Sequence, residues 1–185
     1  MSNSLIAKVE LSQLVILDMQ TRLITIMPQE AMQAVLKNCS ILATAATLLA
    51  VPTIITEQYP KGLGHTKSEL LTLLPSNKPV EKITFSSMAE PKFSRQLTGD
   101  RSQIILAGLE AHICILQTAL DLIATGKQVF VAEDAIISRN FANKANALAR
   151  MRDAGCIVSN TESIVFEWLG KAEGDTFKVI SKLIR

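Results

Sequence analysis

Ile104-Ile105-Leu106-Ala107-Gly108-Leu109-Glu110-Ala111-His112-Ile113-Cys114 is the stretch that decides how this 185-residue chain folds. Its first four residues are apolar throughout, which predicts a strand buried on both faces. From Ile113 to Gly126 the apolar residues recur at helical spacing, and Gly126 is a natural helix stop. The stretch is therefore a strand-to-helix junction, with Cys114 in the first turn of the helix. Unpaired amides at a helix N-terminus favour negative charge, so this address predicts a lowered thiol pKa and an available thiolate.

The same alternation extends in both directions. Leu14-Val15-Ile16-Leu17 ends at Asp18, Pro52-Thr53-Ile54-Ile55-Thr56 at Glu57, and Gln128-Val129-Phe130-Val131-Ala132 at Glu133-Asp134. Ile157-Val158 follows the turn Ala154-Gly155, and Pro79-Val80-Glu81-Lys82-Ile83 is a weaker candidate strand. Between them, residues 31–50 carry an apolar stripe of Met32, Val35, Leu36, Cys39, Leu42, Ala46 and Leu49. Further helices are expected near 66–74, 90–98, 143–153 and 161–169. Strands alternating with helices predict a single-domain, three-layer α/β/α fold over residues 1–185, with a mainly parallel, Rossmann-like sheet of about six strands.

Composition narrows the function classes. The chain is 48% apolar and 19% charged with a net charge of +2, so it is a folded domain rather than a disordered one. Its basic residues are scattered, without the footprint of a nucleic-acid binder. The first residues lack a signal-peptide pattern, no apolar run is long enough to cross a bilayer, and an arginine-free start argues against a mitochondrial leader. Three cysteines cannot all pair, and a reduced cytoplasmic setting is expected. No glycine-rich nucleotide motif, serine-hydrolase elbow or histidine pair for zinc is present, so neither cofactor nor metal is expected.

In an open parallel sheet, ligands bind beyond the carboxyl ends of the strands. Asp18, Glu57-Gln58-Tyr59, Lys82, the Gly108–Cys114 turn and Glu133-Asp134 are all expected on that rim. Cys39 lies within an apolar helix stripe and Cys156 opens a short strand; both read as core. His112, two positions from Cys114 on a tight turn, is expected to point elsewhere, and His65 reads as a solvated loop residue. Asp18, directly after four apolar residues, is costly unless paired, exposed to a site or used as a cap. Lys82 by itself reads as an ordinary lysine.

Taken together, three blocks resemble the isochorismatase-like cysteine hydrolase superfamily. They are Leu14-Val15-Ile16-Leu17-Asp18-Met19-Gln20, Lys82-Ile83-Thr84-Phe85-Ser86, and Gly108 to Cys114 with its extensions Gln117–Asp121 and Asp134–Arg139. The loop Thr56 to Gly64 further resembles the isochorismatase domain-containing subgroup. The resemblance implies a catalytic triad of Asp18, Lys82 and Cys114, acting as proton acceptor, cation and nucleophile. It implies a cis peptide at Leu109-Glu110 that turns the Glu110 and Cys114 amides toward an oxyanion, and substrate-binding roles for Gln20, Gln58, Tyr59 and Phe85. Thr56-Glu57-Gln58 stands where zinc-dependent nicotinamidases of the superfamily carry a DxH metal pattern, so nicotinamide is a poor fit. Cleavage of an amide, carbamoyl or imide C–N bond in a small molecule is expected, in a homo-oligomer (dimer or higher) without nucleic-acid or membrane partners. The alternatives are a catalytically silent scaffold or binding module and hydrolysis of an isochorismate-like vinyl ether. Phe166, Trp168 and Leu169 are expected either at an interface between copies or in a terminal helix that packs on its own sheet.

Overall fold

A computed structural model describes residues 4–184. Among them, six parallel strands form one sheet in the order β3-β2-β1-β4-β5-β6. The strands are β1 (Ser12–Leu17), β2 (Thr53–Gln58), β3 (Val80–Lys82), β4 (Gln103–Leu109), β5 (Gln128–Ile137) and β6 (Ile157–Ser159). Every residue of β1 and β4 is buried, which is why their Leu14–Leu17 and Ile104–Ala107 segments read as unbroken apolar runs instead of alternating ones.

Alternate residues of the strands feed two cores. Leu14, Ile16, Ile55, Ile105, Ala107 and Phe130 pack beneath α2 (Gln29–Leu48), α8 (Thr161–Leu169) and α9 (Gly174–Leu183). Val15, Leu17, Ile54, Ile104, Leu106 and Val131 face the other way, against Phe93 of α5 (Pro91–Ser94), α6 (Leu116–Ala124) and α7 (Phe141–Asp153). Each buried Val, Leu or Ile contributes about 1.5–3 kcal/mol of transfer free energy. Trp168 belongs to the first core and donates from Nε1 to Ser12 Oγ at 2.9 Å. Of the two alternatives for that residue, packing on its own sheet is the one observed. Phe166 stays partly exposed and stacks edge-on against Phe177 of α9.

Four elements depart from expectation. The helix expected at 90–98 is only α5, because Gln13 takes up the backbone beyond it: its Nε2 donates to Gln96 O and its Oε1 accepts from Thr98 N. The short helices α1 (Thr21–Thr25) and α3 (Pro60–Leu63) have too few residues to show a period. Most consequentially, β5 does not end at Ala132. Its register with β4 moves from Leu106↔Val131 to Gly108↔Ile136, a bulge that carries the strand past Glu133 and Asp134 to Ile137. Asp134 is thereby removed from the rim; its Oδ1 caps the start of α8 through Thr161 N and Oγ1, each at 2.8 Å. The rim position it was expected to hold goes to Ser138 and Arg139.

Candidate active site

The strand order reverses direction between β1 and β4, the switch point where a ligand crevice opens in such sheets. Asp18 follows β1 and Cys114 follows β4, so the two meet across this gap. Close approach is enforced by Gly108: a Cβ there would lie 2.0 Å from Leu17 O, and its φ is +116°. Only glycine fits that position. Asp18 itself has φ +55°, a left-handed conformation that Asp tolerates better than most residues.

Asp18 is fully buried, with each carboxylate oxygen satisfied. Thr56 Oγ1 donates to Oδ1 at 2.6 Å, and Lys82 Nζ donates to Oδ2 at 2.9 Å. Lys82 is just as buried and spends its remaining donors on Gln58 Oε1 at 2.7 Å and the Phe85 carbonyl at 3.2 Å. The register Gln58↔Lys82 between β2 and β3 sets this contact. A lysine so held is a fixed cation, unlike the mobile surface lysine that its sequence position alone suggests.

Cys114 sits in a π-type turn, Ala111–Ile115, that leads into α6. Burial pushes its thiol up to about 12, the Asp18 carboxylate adds to the rise, and the Lys82 ammonium opposes it. This corrects the expectation of a lowered pKa: desolvation outweighs the cation. At neutral pH the group is a thiol beside a carboxylate. The Leu109-Glu110 peptide is likewise not cis, since no cis peptide occurs among the described residues. Leu109 remains in the sheet, paired with Ile137, and the chain turns through Gly108 and the π-turn, where a trans bond avoids a cost of about 3–4 kcal/mol.

A cavity of about 280 Å³ opens onto Cys114 and is lined by Leu23, Ile26, Gln58, Leu63, Phe85, Glu110, Ile113 and Arg139. Of the residues expected to bind substrate, Gln58 and Phe85 line it. Tyr59 faces a neighbouring depression with Pro60, Glu81 and Lys92. Gln20 lines neither. Its buried amide instead holds the loop, with Nε2 donating to Gln58 O and Gly64 O while Oε1 accepts from Gln58 N. Leu23 and Ile26 were illegible because α1 is a single turn, whereas Ala135-Ile136-Ile137 was an available sign that β5 resumes and delivers Arg139.

His112 does not line the cavity; its Nδ1 lies 2.9 Å from Ser138 Oγ. Glu57, the middle residue of Thr56-Glu57-Gln58, accepts from Thr66 N and Oγ1 and lies 3.0 Å from the exposed His65. Among the described residues no group of three or more His, Cys, Asp or Glu could hold a metal ion. Nor is any helix there long and apolar enough to cross a membrane.

Residues 12–163 match the model of the isochorismatase domain. The chain belongs to the isochorismatase family. It is 42% identical over 142 residues to human isochorismatase domain-containing protein 2, covering 76% of this chain and 67% of that protein. It is 39% identical over 157 residues to the secreted isochorismatase effector Isc1 of Phytophthora sojae (82% and 74%). The structure of the MAR1 ribonuclease of Caenorhabditis elegans superposes with a TM-score of 0.89 at 34% identity, covering 96% and 91% of the two chains. The YcaC gene product of Escherichia coli, an octameric hydrolase of unknown specificity, has a TM-score of 0.90 over 99% and 92% at 20% identity, a likeness of fold alone. The family carries a hydrolase fold, and the six-stranded sheet of this chain is that fold.

Proposed function

We propose that the protein is a cysteine hydrolase that cleaves a C–N bond of a small molecule, using Asp18, Lys82 and Cys114 and no metal. The observation that carries this reading is the buried Asp18–Lys82 pair, fully hydrogen-bonded and acting on a thiol that opens to a cavity.

The chemistry follows from the resting protonation state. When a carbonyl carbon reaches Cys114, Asp18 accepts the thiol proton as Sγ forms a bond to that carbon. The carbonyl oxygen becomes an oxyanion, for which the backbone amides of Glu110 and Cys114 are the proposed donors. Loss of one such donor typically costs about 100- to 1,000-fold in rate. As the C–N bond breaks, Asp18 passes its proton to the leaving nitrogen, and a thioester remains on Sγ. Water then attacks the thioester, Asp18 takes the water proton, and the acid product leaves as that proton returns to Sγ. Lys82, hydrogen-bonded to Asp18, offsets the charge that moves between Asp18 and sulfur.

One relative bears the name ribonuclease, but the cavity argues for a small molecule. Its walls are mostly Leu23, Ile26, Leu63, Phe85 and Ile113, and a carboxylate, Glu110, stands beside them. Such a lining disfavours a polyphosphate backbone. Three unpaired, buried cysteines suit a reduced, cytoplasmic setting. We propose a homo-oligomer as the working form, because Ile26, Ile83, Phe85 and Phe141 are exposed apolar residues.

The test is a screen of amides, ureides and carbamoyl compounds, with acyl-enzyme trapping by mass spectrometry. Turnover that survives Cys114→Ala, or a trapped adduct on another residue, would overturn the mechanism. A folded wild-type protein that turns over nothing, with a Cys114 unreactive toward iodoacetamide even at high pH, would favour a silent scaffold.

A further inference from the structure

Glu110 has a side chain that the reaction above does not use. It is 5% exposed and lines the Cys114 cavity. Its two oxygens are treated unequally. Oε1 forms an ion pair with Arg139 Nε at 2.5 Å, while Oε2 is buried without a hydrogen-bond partner. His112 Nδ1 comes within 3.3 Å of Oε2, yet its hydrogen bond is made with Ser138 Oγ at 2.9 Å. Buried carboxylate oxygens are almost always satisfied, so an orphan on a residue that lines a cavity marks a place for a donor.

We propose that Glu110 Oε2 reads an N–H of the substrate, which makes the preferred class a neutral primary amide or ureide bearing a small apolar group. The apolar group would lie against Leu23, Ile26, Leu63 and Phe85. Arg139 and Glu110 neutralise one another, as Lys82 and Asp18 do, so the cavity holds no spare buried cation for an anionic substrate. A negative group would instead face the lone pairs of Oε2. Arg139 is a positioning residue: its Nε fixes which carboxylate oxygen is left free. The inference rests on Cys114 being the nucleophile of that same cavity.

Two probes of similar size separate the recognition from the chemistry. Acrylamide and methyl acrylate both add their β-carbon to a thiol, the thiol proton passing to the α-carbon, but only acrylamide carries N–H groups. Their labelling rates at Cys114 are measured by mass spectrometry and expressed as a ratio against the same ratio for glutathione. The wild-type protein is expected to favour acrylamide by about 10-fold or more over glutathione, in line with sites built to pair a substrate N–H. Glu110→Gln should abolish that preference to within about 3-fold, because its carbonyl would turn to Arg139 and leave an amide donor where Oε2 was. Glu110→Asp, which withdraws the oxygen, should do the same if the first variant does not fold. A wild-type ratio equal to that of glutathione, with Cys114 still labelled, overturns the Glu110 inference and leaves the nucleophile standing. Retention of the preference in either folded variant also overturns it. Labelling of Cys114 by neither probe overturns both.

Discussion

Cys114 is a protonated thiol at rest, and that fixes how its reactivity should vary with pH. With the thiol pushed up to about 12, the thiolate fraction grows about tenfold for each pH unit between 7 and 10. Iodoacetamide labelling of Cys114 should rise with that slope; a plateau beginning near neutrality would show a preformed thiolate and contradict the buried-thiol description. Lys82→Met should be costly in a different way. It leaves the buried Asp18 without its cation, a loss of about 3–5 kcal/mol readable in urea unfolding. Thr56 would remain as a side-chain donor to that carboxylate. At this scale Asp18, Lys82 and Cys114 lie together, Gln20 and Tyr59 stand outside the cavity, and the electrostatics were not legible. A helix N-terminus can be read from a one-dimensional pattern, whereas desolvation depends on what packs around the sulfur. The orphan oxygen of Glu110 was equally invisible, since it follows from a bulge in β5 that brings Arg139 to one side of the carboxylate.

Two glycines separate conformation from crowding among the elements. Gly108→Ala combines a φ of +116° with a methyl 2.0 Å from the Leu17 carbonyl oxygen, where backbone cannot retreat without breaking the β1–β4 pairing. Destabilisation beyond about 4 kcal/mol is expected, seen as loss of soluble folded protein. Gly126→Ala has φ +84° but nothing within 4 Å of the added carbon, so only the left-handed penalty of about 1–2 kcal/mol applies. Comparable melting temperatures for the two variants would refute the crowding argument. Gln20→Ala should free the loop it grips, raising hydrogen exchange across 59–64 before any change in the sheet. The sheet was legible from the buried apolar runs. The loop grip was not, because Gln20 pairs with backbone carbonyls and no residue type announces that.

For the molecule as a whole, the three buried thiols tie stability to alkaline pH. Cys39, Cys114 and Cys156 are pushed from 9.0 to about 12, 12 and 11, chiefly by burial. Between about pH 9 and 12 the folded protein keeps protons that the unfolded chain has released, so stability is full below about 9 and falls as pH climbs. The urea midpoint should drop between pH 8 and about 10.5; a flat midpoint would contradict the burial of these sulfurs. Cys39→Ala should flatten part of that slope, because Cys39 is wholly enclosed.

The cation that steadies the site is delivered by β3, three residues long and bordered on one side only. The proposed nucleophile, Cys114, and the proposed base, Asp18, by contrast, follow the two central strands. Opening free energies rise from the margins of a sheet toward its middle, so β3 is expected to detach first on warming. Catalysis would then fail several degrees below the cooperative melt, with circular dichroism still native. In such a protein the temperature at which turnover stops measures the grip of one short strand, and says little about the fold it hangs from.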